Sequence, residues 1–180
     1  MQRSVHSGCH ATVNLAMRYV FLCCLALVLF HGCKKEKAPR VDMYVLKSFT
    51  QHINQATSPA TLNISNAVLE DAPLVADQDI AFYIQSEATF KLKKNIKSLI
   101  QNYGADKAFA VTVDNQPVYY GKFHPGYLSS LVFGLAIIDP LLLRNNELAI
   151  GFVTTAGPNA LDKRNDARLL SALKSSGRLR

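Results

Sequence analysis

Apolar and polar positions alternate along this chain in several different rhythms, and each rhythm predicts an element. Val45, Phe49, His52 and Ile53 fall at helical spacing, which predicts a helix over Val41–Ala56 ended by Thr57-Ser58-Pro59. Leu62 and Ile64 alternate with polar residues, which predicts a strand over Thr61–Ser65 and an acidic loop over Asn66–Asp79. Ile80–Ile84 and Ala88–Leu92 read as two strands joined by Gln85-Ser86-Glu87. Ile96, Leu99, Ile100 and Tyr103 form an apolar stripe, which predicts a helix over Lys93–Tyr103 with Gly104 as its C-terminal cap. Ala108–Val113 and Gln116–Tyr120 read as a hairpin turning at Asp114-Asn115; Pro117 places the return strand at an edge and Gly121 marks a bulge or bend. His124-Pro125-Gly126-Tyr127 is a turn. Leu131–Ile138 reads as a buried strand bounded by Asp139-Pro140, and Leu141–Leu143 continues its apolar surface. Glu147–Thr154 is the last predicted strand, Thr155–Asn159 a Gly-Pro loop, and Ala160–Leu173 a helix capped by Asn159 with Asp162; Lys174–Arg180 is expected to fray. Together these elements predict an α+β fold: one two-layer domain over residues 41–180, mainly antiparallel sheet with helices packed on one side.

The N-terminal part has a different pattern. Tyr19–Phe30 is an unbroken apolar run preceded by Arg18 and followed by His31-Gly32-Cys33 and the charged Lys34-Lys35-Glu36-Lys37. A positive start, an apolar core of roughly 7–15 residues and a small residue before the cut form the secretory pattern. A spanning helix needs about 20 apolar residues, more than this run supplies. The box Phe30-His31-Gly32-Cys33 resembles a bacterial lipoprotein signal. That resemblance implies that Cys33 becomes the mature N-terminus and carries a diacylglyceryl thioether plus an amide-linked acyl chain. Residues 1–32 are then the signal region, within which Met17-Arg18 makes the better start, and residues 33–40 are a short lipidated tether. The expected place is the cell envelope, outside the cytoplasm, on the outer or inner membrane.

Composition narrows the chemistry. All four cysteines, Cys9, Cys23, Cys24 and Cys33, lie in or before the signal. The remaining 148 residues therefore hold no internal disulfide, no Cys-ligated zinc and no thiol nucleophile beyond position 33. The formal charge is +7, and losing Arg3 and Arg18 with the signal leaves +5. A basic exported domain meets anionic lipid first. With no RNP-type strand, zinc finger or Lys/Arg-dense helix, nucleic acid is not an expected partner.

The order strand, helix, strand, tight turn, strand is carried by Phe90-Lys91-Leu92, by Ile96, Leu99 and Ile100, and by Phe109–Val113 with Asp114-Asn115 and Gln116-Pro117-Val118. Over about residues 79–154 it resembles the periplasmic head domain of SecD-type protein-export subunits. That resemblance implies an α/β plait used for protein contact, without translocation activity.

Three sets of residues are candidates for function. Ser129 or Ser130 with His124, and Asp114 or Asp139, supply the residue types of a serine hydrolase, but no Gly-x-Ser-x-Gly elbow surrounds either serine. Tyr119, Tyr120, Phe123 and Tyr127 form an aromatic set of the kind that anchors interfaces. Lys93, Lys94 and Lys97 make a basic side suited to anionic headgroups. His52 and His124 share no ligand spacing, the acidic loop lacks the glycine and terminal Glu of a calcium site, and no Gly-rich phosphate loop occurs, so neither metal nor cofactor is expected. The leading expectation is a non-catalytic, membrane-anchored envelope lipoprotein that binds a protein or ligand. The alternative is an envelope serine hydrolase using Ser129 or Ser130 with His124.

Overall fold

The computed structural model describes residues 38–153 and 161–180. The expected signal region 1–32, Cys33 and the start of the expected tether, Thr154 of the last predicted strand, the Gly-Pro loop and the expected cap Asn159 lie outside the described residues. Nine strands and two helices occur among those described: β1 (Val41–Asn54), β2 (Thr61–Leu69), β3 (Ile80–Ile84), β4 (Thr89–Leu92), α1 (Lys97–Ile100), β5 (Ala108–Val113), β6 (Gln116–Phe123), β7 (Ala136–Ile138), β8 (Glu147–Ala149), β9 (Gly151–Phe152) and α2 (Ala167–Ser175). The fold is more sheet-dominated than the α+β expectation. A six-stranded sheet has the order β2-β1-β5-β6-β7-β9, antiparallel except at β6–β7, and a three-stranded antiparallel sheet has the order β3-β4-β8.

The largest correction concerns Val41–Ala56, which is strand and not helix. Val41 and Met43 face the main core, while Tyr44 and Leu46 on the opposite side of the strand are also buried. A strand buried on both faces shows no two-residue alternation, so the sequence lacks the usual strand signal. Register shifts at Leu46–Ser48 and Ser48–Thr50 interrupt the regular pairing of the later residues with β2. β1 is paired at both ends, to β5 through Val41–Val45 and to β2 beyond.

The main core fills the space between one face of the large sheet, the small sheet and the helices. Phe109 and Val111 of β5 and Tyr119 and Phe123 of β6 meet Tyr83 and Phe90 of the small sheet, and Leu169, Ala172 and Leu173 of α2. A second cluster covers the other face of the large sheet. There Ala108 and Ala110 are small enough for Leu46, Ile64, Val132 and Leu135 to close over them. The sheet curls until the Leu62 N–H donates to the Phe133 carbonyl at 2.8 Å.

The predicted helices shorten. Asn95 Oδ1 accepts from the Lys97 N–H at 2.9 Å, so the first helix begins only at Lys97 and ends at Ile100, well before Gly104. Ile96 and Ile100 are buried while Leu99 is exposed. In α2 the capping residue is Asp166, whose carboxylate accepts from the Arg168 N–H at 3.0 Å; Asp162 instead binds Arg164. The predicted strand Leu131–Ile138 contracts to β7, and Glu147–Phe152 is divided between the two sheets.

The hairpin follows its prediction. Asp114 and Asn115 have φ of 49° and 63°, the left-handed pair that a two-residue turn needs. The bulge falls at Val118 rather than Gly121, because Val111 pairs with Tyr119 while Thr112 pairs with Pro117. Pro117 lies where β6 has β5 alone as a neighbour, since β7 joins only at Gly121–Phe123. The C-terminus does not fray: Tyr83 N–H donates to the Arg178 carbonyl and Arg180 N–H to the Tyr83 carbonyl, at 2.8 and 2.9 Å, covering the edge of β3. β4 and β5, consecutive in the strand–helix–strand order, belong to separate sheets. Among the described residues no helix is long and apolar enough to cross a membrane.

Candidate functional site

The stretch from Glu147 to Phe152 serves two sheets. Its first half pairs with β4, its second half with β7. Leu92 N–H donates to the Asn146 carbonyl and Ile150 N–H to the Ala88 carbonyl, so the backbone groups of residues 146 and 150 point toward β4. By strand alternation those of Ala149 point away from it. On that side β7 pairs Ile137 with Gly151, and continuing this register would set Asp139 opposite Ala149. The chain turns instead at Pro140, with the Leu141 N–H held by Asp139 Oδ1 at 2.9 Å. The departure leaves an open cleft of about 400 Å³ beside the edge of β8 at Ala149; on the same edge the Glu147 N–H donates to the Arg144 carbonyl at 3.2 Å.

Ile137, Leu142, Leu143 and Ala149 supply its apolar lining, and Glu87, Asp139, Arg144 and Glu147 its charges. Leu143 is buried and anchors the Asp139–Arg144 loop, while Leu142 is 78% exposed at the rim of the cleft; Leu141, 50% exposed, does not line it. Lys91 pairs with Glu147, and this hydrogen bond, together with the nearby charges of Lys91 and Arg144, holds the Glu147 carboxyl below its ordinary range. Among the described residues neither Glu87 nor Asp139 takes part in an ion pair. The loop His124–Tyr127 abuts the same place: a Cβ on Gly126 would stand 2.7 Å from Asp139 Oδ2. The cleft lies within the size range of ligand sites, but an open groove with an exposed leucine beside a strand edge suits a protein segment better than a small enclosed molecule.

The structure scatters the aromatic set. Tyr119 and Phe123 are buried in the main core and offer no surface. Tyr120 is half-buried against the second cluster, and Tyr127 alone of the four is open, at 72% exposure. Strand alternation separated Tyr119 from Tyr120, as expected, and Phe123 follows Tyr119 inward.

The three lysines do not form one helical face, because Lys93 and Lys94 precede α1. Lys94 is tied to Asp79 at 2.5 Å, Lys97 is half-buried, and Lys93 is exposed. A shallow groove of about 450 Å³ beside them carries Lys94 and Lys107 over Val45, Leu74, Leu99 and Tyr103, but Glu70 shares it. Its lining carries two lysines against one glutamate, and one of the lysines, Lys94, is already paired with Asp79.

For the serine pair, His124 Nε2 lies 2.8 Å from the Ser130 carbonyl oxygen. A carbonyl only accepts, so Nε2 carries the proton and Nδ1 is left with its lone pair, buried and without a hydrogen-bond partner. A general base needs that lone pair aimed at a nucleophile. Among the described residues His124 makes no hydrogen bond to either serine hydroxyl. His52 Nε2 meets Ser65 Oγ at 2.8 Å on the exposed part of the β1–β2 hairpin. No group of three or more His, Cys, Asp or Glu among the described residues is placed to hold a metal ion.

Sequence reasoning did not single out Glu87, Glu147, Leu141 or Leu142. A usable signal was present in the Leu141–Leu143 run directly after Asp139-Pro140: three leucines following a turn cannot all enter one core face. Comparison with protein-family models, with curated proteins and with solved structures finds no match.

Proposed function

We propose that this protein is a non-catalytic, lipid-anchored component of the bacterial cell envelope that binds another protein. The observation that carries the binding half is the edge of β8 at Ala149, open in a cleft and rimmed by the exposed Leu142. Exposed apolar side chains gathered beside a free strand edge are the ingredients of a protein contact. The anchoring half rests on the Arg18–Cys33 signal. Each buried CH₂ contributes about 0.8 kcal/mol, so two or more acyl chains make attachment lasting. From Cys33 to Arg40 the chain spans at most about 25 Å, which keeps the domain near the bilayer with Lys93 free to meet headgroups. The SecD-type resemblance supports protein contact only in general terms, since a plait would place β4 and β5 in one sheet.

Two measurements test the reading together. Cells labelled with palmitate are expected to yield a labelled protein that sediments with membranes, and Cys33→Ala is expected to lose both label and sedimentation. A photo-crosslinking residue at position 142 is expected to capture a discrete envelope partner, while the same residue at position 174, on the exposed face of α2, captures none. An unlabelled Cys33 ends the anchoring half, and equal capture at both positions ends the binding half.

A further inference from the structure

We infer that the cleft takes an extended segment of the partner protein, added as a strand to the free edge of β8, with a Lys or Arg side chain of that segment lying between Glu87 and Asp139. The inference rests on the protein-binding reading above and specifies its chemistry. Two independent features point to it.

The first is the strand edge. β8 is the last strand of the small sheet, and the register leaves the Ala149 backbone groups directed away from β4. The place that β7 would occupy beyond Ile138 is vacant because the chain turns at Pro140. An added strand satisfies such an edge through main-chain hydrogen bonds, and alternate side chains settle into pockets. Leu142 stands where an apolar neighbour of the inserted residue would rest.

The second is charge. The chain carries a formal +7, yet the charged lining of this cleft is Glu87, Asp139 and Glu147 against Arg144. Lys91 already serves Glu147. Glu87 and Asp139 are the carboxylates left to receive a cation from outside. A partner segment bearing Glu or Asp at that position would meet them with like charge and be rejected.

The test uses the folded protein and a degenerate heptapeptide library fixed at its centre as Lys, norleucine or Glu. The Lys pool is expected to be retained at least tenfold over the Glu pool, and Glu87→Lys is expected to reverse that order. Glu87 is exposed on a turn, so its replacement leaves the core alone. Ala149→Pro removes an N–H that β4 does not use and is expected to lower retention of the Lys pool at least tenfold. Circular dichroism confirms that each variant is folded; if Ala149→Pro is not, N-methylated peptides supply the same test from the ligand side. Equal retention of the Lys and Glu pools overturns the inference, as does indifference to Glu87→Lys or to loss of the edge hydrogen bonds. Binding of lysine methyl ester as tight as that of the peptides also overturns it, in favour of a small-cation site. If no pool is retained while position 142 still captures its partner in cells, this inference falls and the protein-binding reading stands; if both fail, both fall.

Discussion

Gly121 lies across from Phe109 on paired strands, and the Phe109 ring fills the space a side chain at Gly121 would occupy. A Cβ there would stand 2.2 Å from Phe109 Cζ and 2.6 Å from the Ala136 carbonyl oxygen. One obstacle is a fully buried ring packed edge-on to Phe123, the other is backbone of the neighbouring strand. Neither can move cheaply.

Gly121→Ala is therefore expected to destabilise the domain by about 3 kcal/mol, the upper range for overpacking. Urea unfolding measures it. Adding Phe109→Leu should recover only part of the loss, because the Ala136 carbonyl remains. A Gly121→Ala protein as stable as the parent would mean that the strands are not paired in this register.

Tyr83 and Tyr119 are both buried tyrosines, but only one has a partner. Tyr83 donates to the Arg164 carbonyl at 2.9 Å, whereas the Tyr119 hydroxyl has no hydrogen-bond partner among the described residues. Tyr83→Phe is expected to cost about 1 kcal/mol and Tyr119→Phe to be neutral or stabilising by up to about 1 kcal/mol. Burial pushes the Tyr83 hydroxyl up to about 12, with the Arg164 charge opposing, and burial raises Tyr119 as well. In the unfolded chain a tyrosine ionises near 10. The unfolded state therefore releases these protons first, and the stability linked to them is complete below about pH 10 and lost as pH rises toward 12. Urea midpoints measured from pH 9 to 12 should fall less steeply in the Tyr83→Phe, Tyr119→Phe double variant than in the parent.

Arg178 joins the C-terminus to the beginning of β1. It donates to the Asp77 carbonyl at 2.6 Å and to Asp77 Oδ1 at 2.5 Å, and the same carboxylate oxygen accepts from the Val41 N–H at 2.8 Å. Arg178→Ala is expected to cost about 2 kcal/mol, as for hydrogen bonds to a charged group. Removing residues 178–180 should cost more, since it also exposes the edge of β3 at Tyr83 and Gln85. Unfolding of the variants and light scattering of the truncated protein check both: a truncated protein that is equally stable and monodisperse would contradict the edge-covering role.

The β5–β6 hairpin was legible in the sequence because its cause is local. Alternation of Phe109, Val111 and Val113 and an Asp-Asn pair that tolerates positive φ specify it without help from the rest of the chain. β3 and β4 were legible for the same reason, as was the turn at Asp139-Pro140. The fate of Val41–Ala56 was decided elsewhere. Its spacing suits a helix, but β5 pairs with Val41–Val45 and β2 with Leu46–Asn54, and apolar layers cover both faces of the first half. The helix predicted over Lys93–Tyr103 shortened to Lys97–Ile100 for a local reason, since Asn95 offers the Lys97 N–H a competing acceptor.

The sequence by itself determined the apolar run Tyr19–Phe30 ahead of Gly32-Cys33, the absence of other cysteines beyond it, and the local turns, because each depends on residues adjacent in the chain. Only the tertiary structure decided which aromatics are core, that β4 and β5 part into two sheets, and that Glu87, Asp139 and Glu147 line one cleft. Those outcomes depend on which strand edges find partners, and residues tens of positions apart settle that through hydrogen bonds and packing that no local spacing encodes.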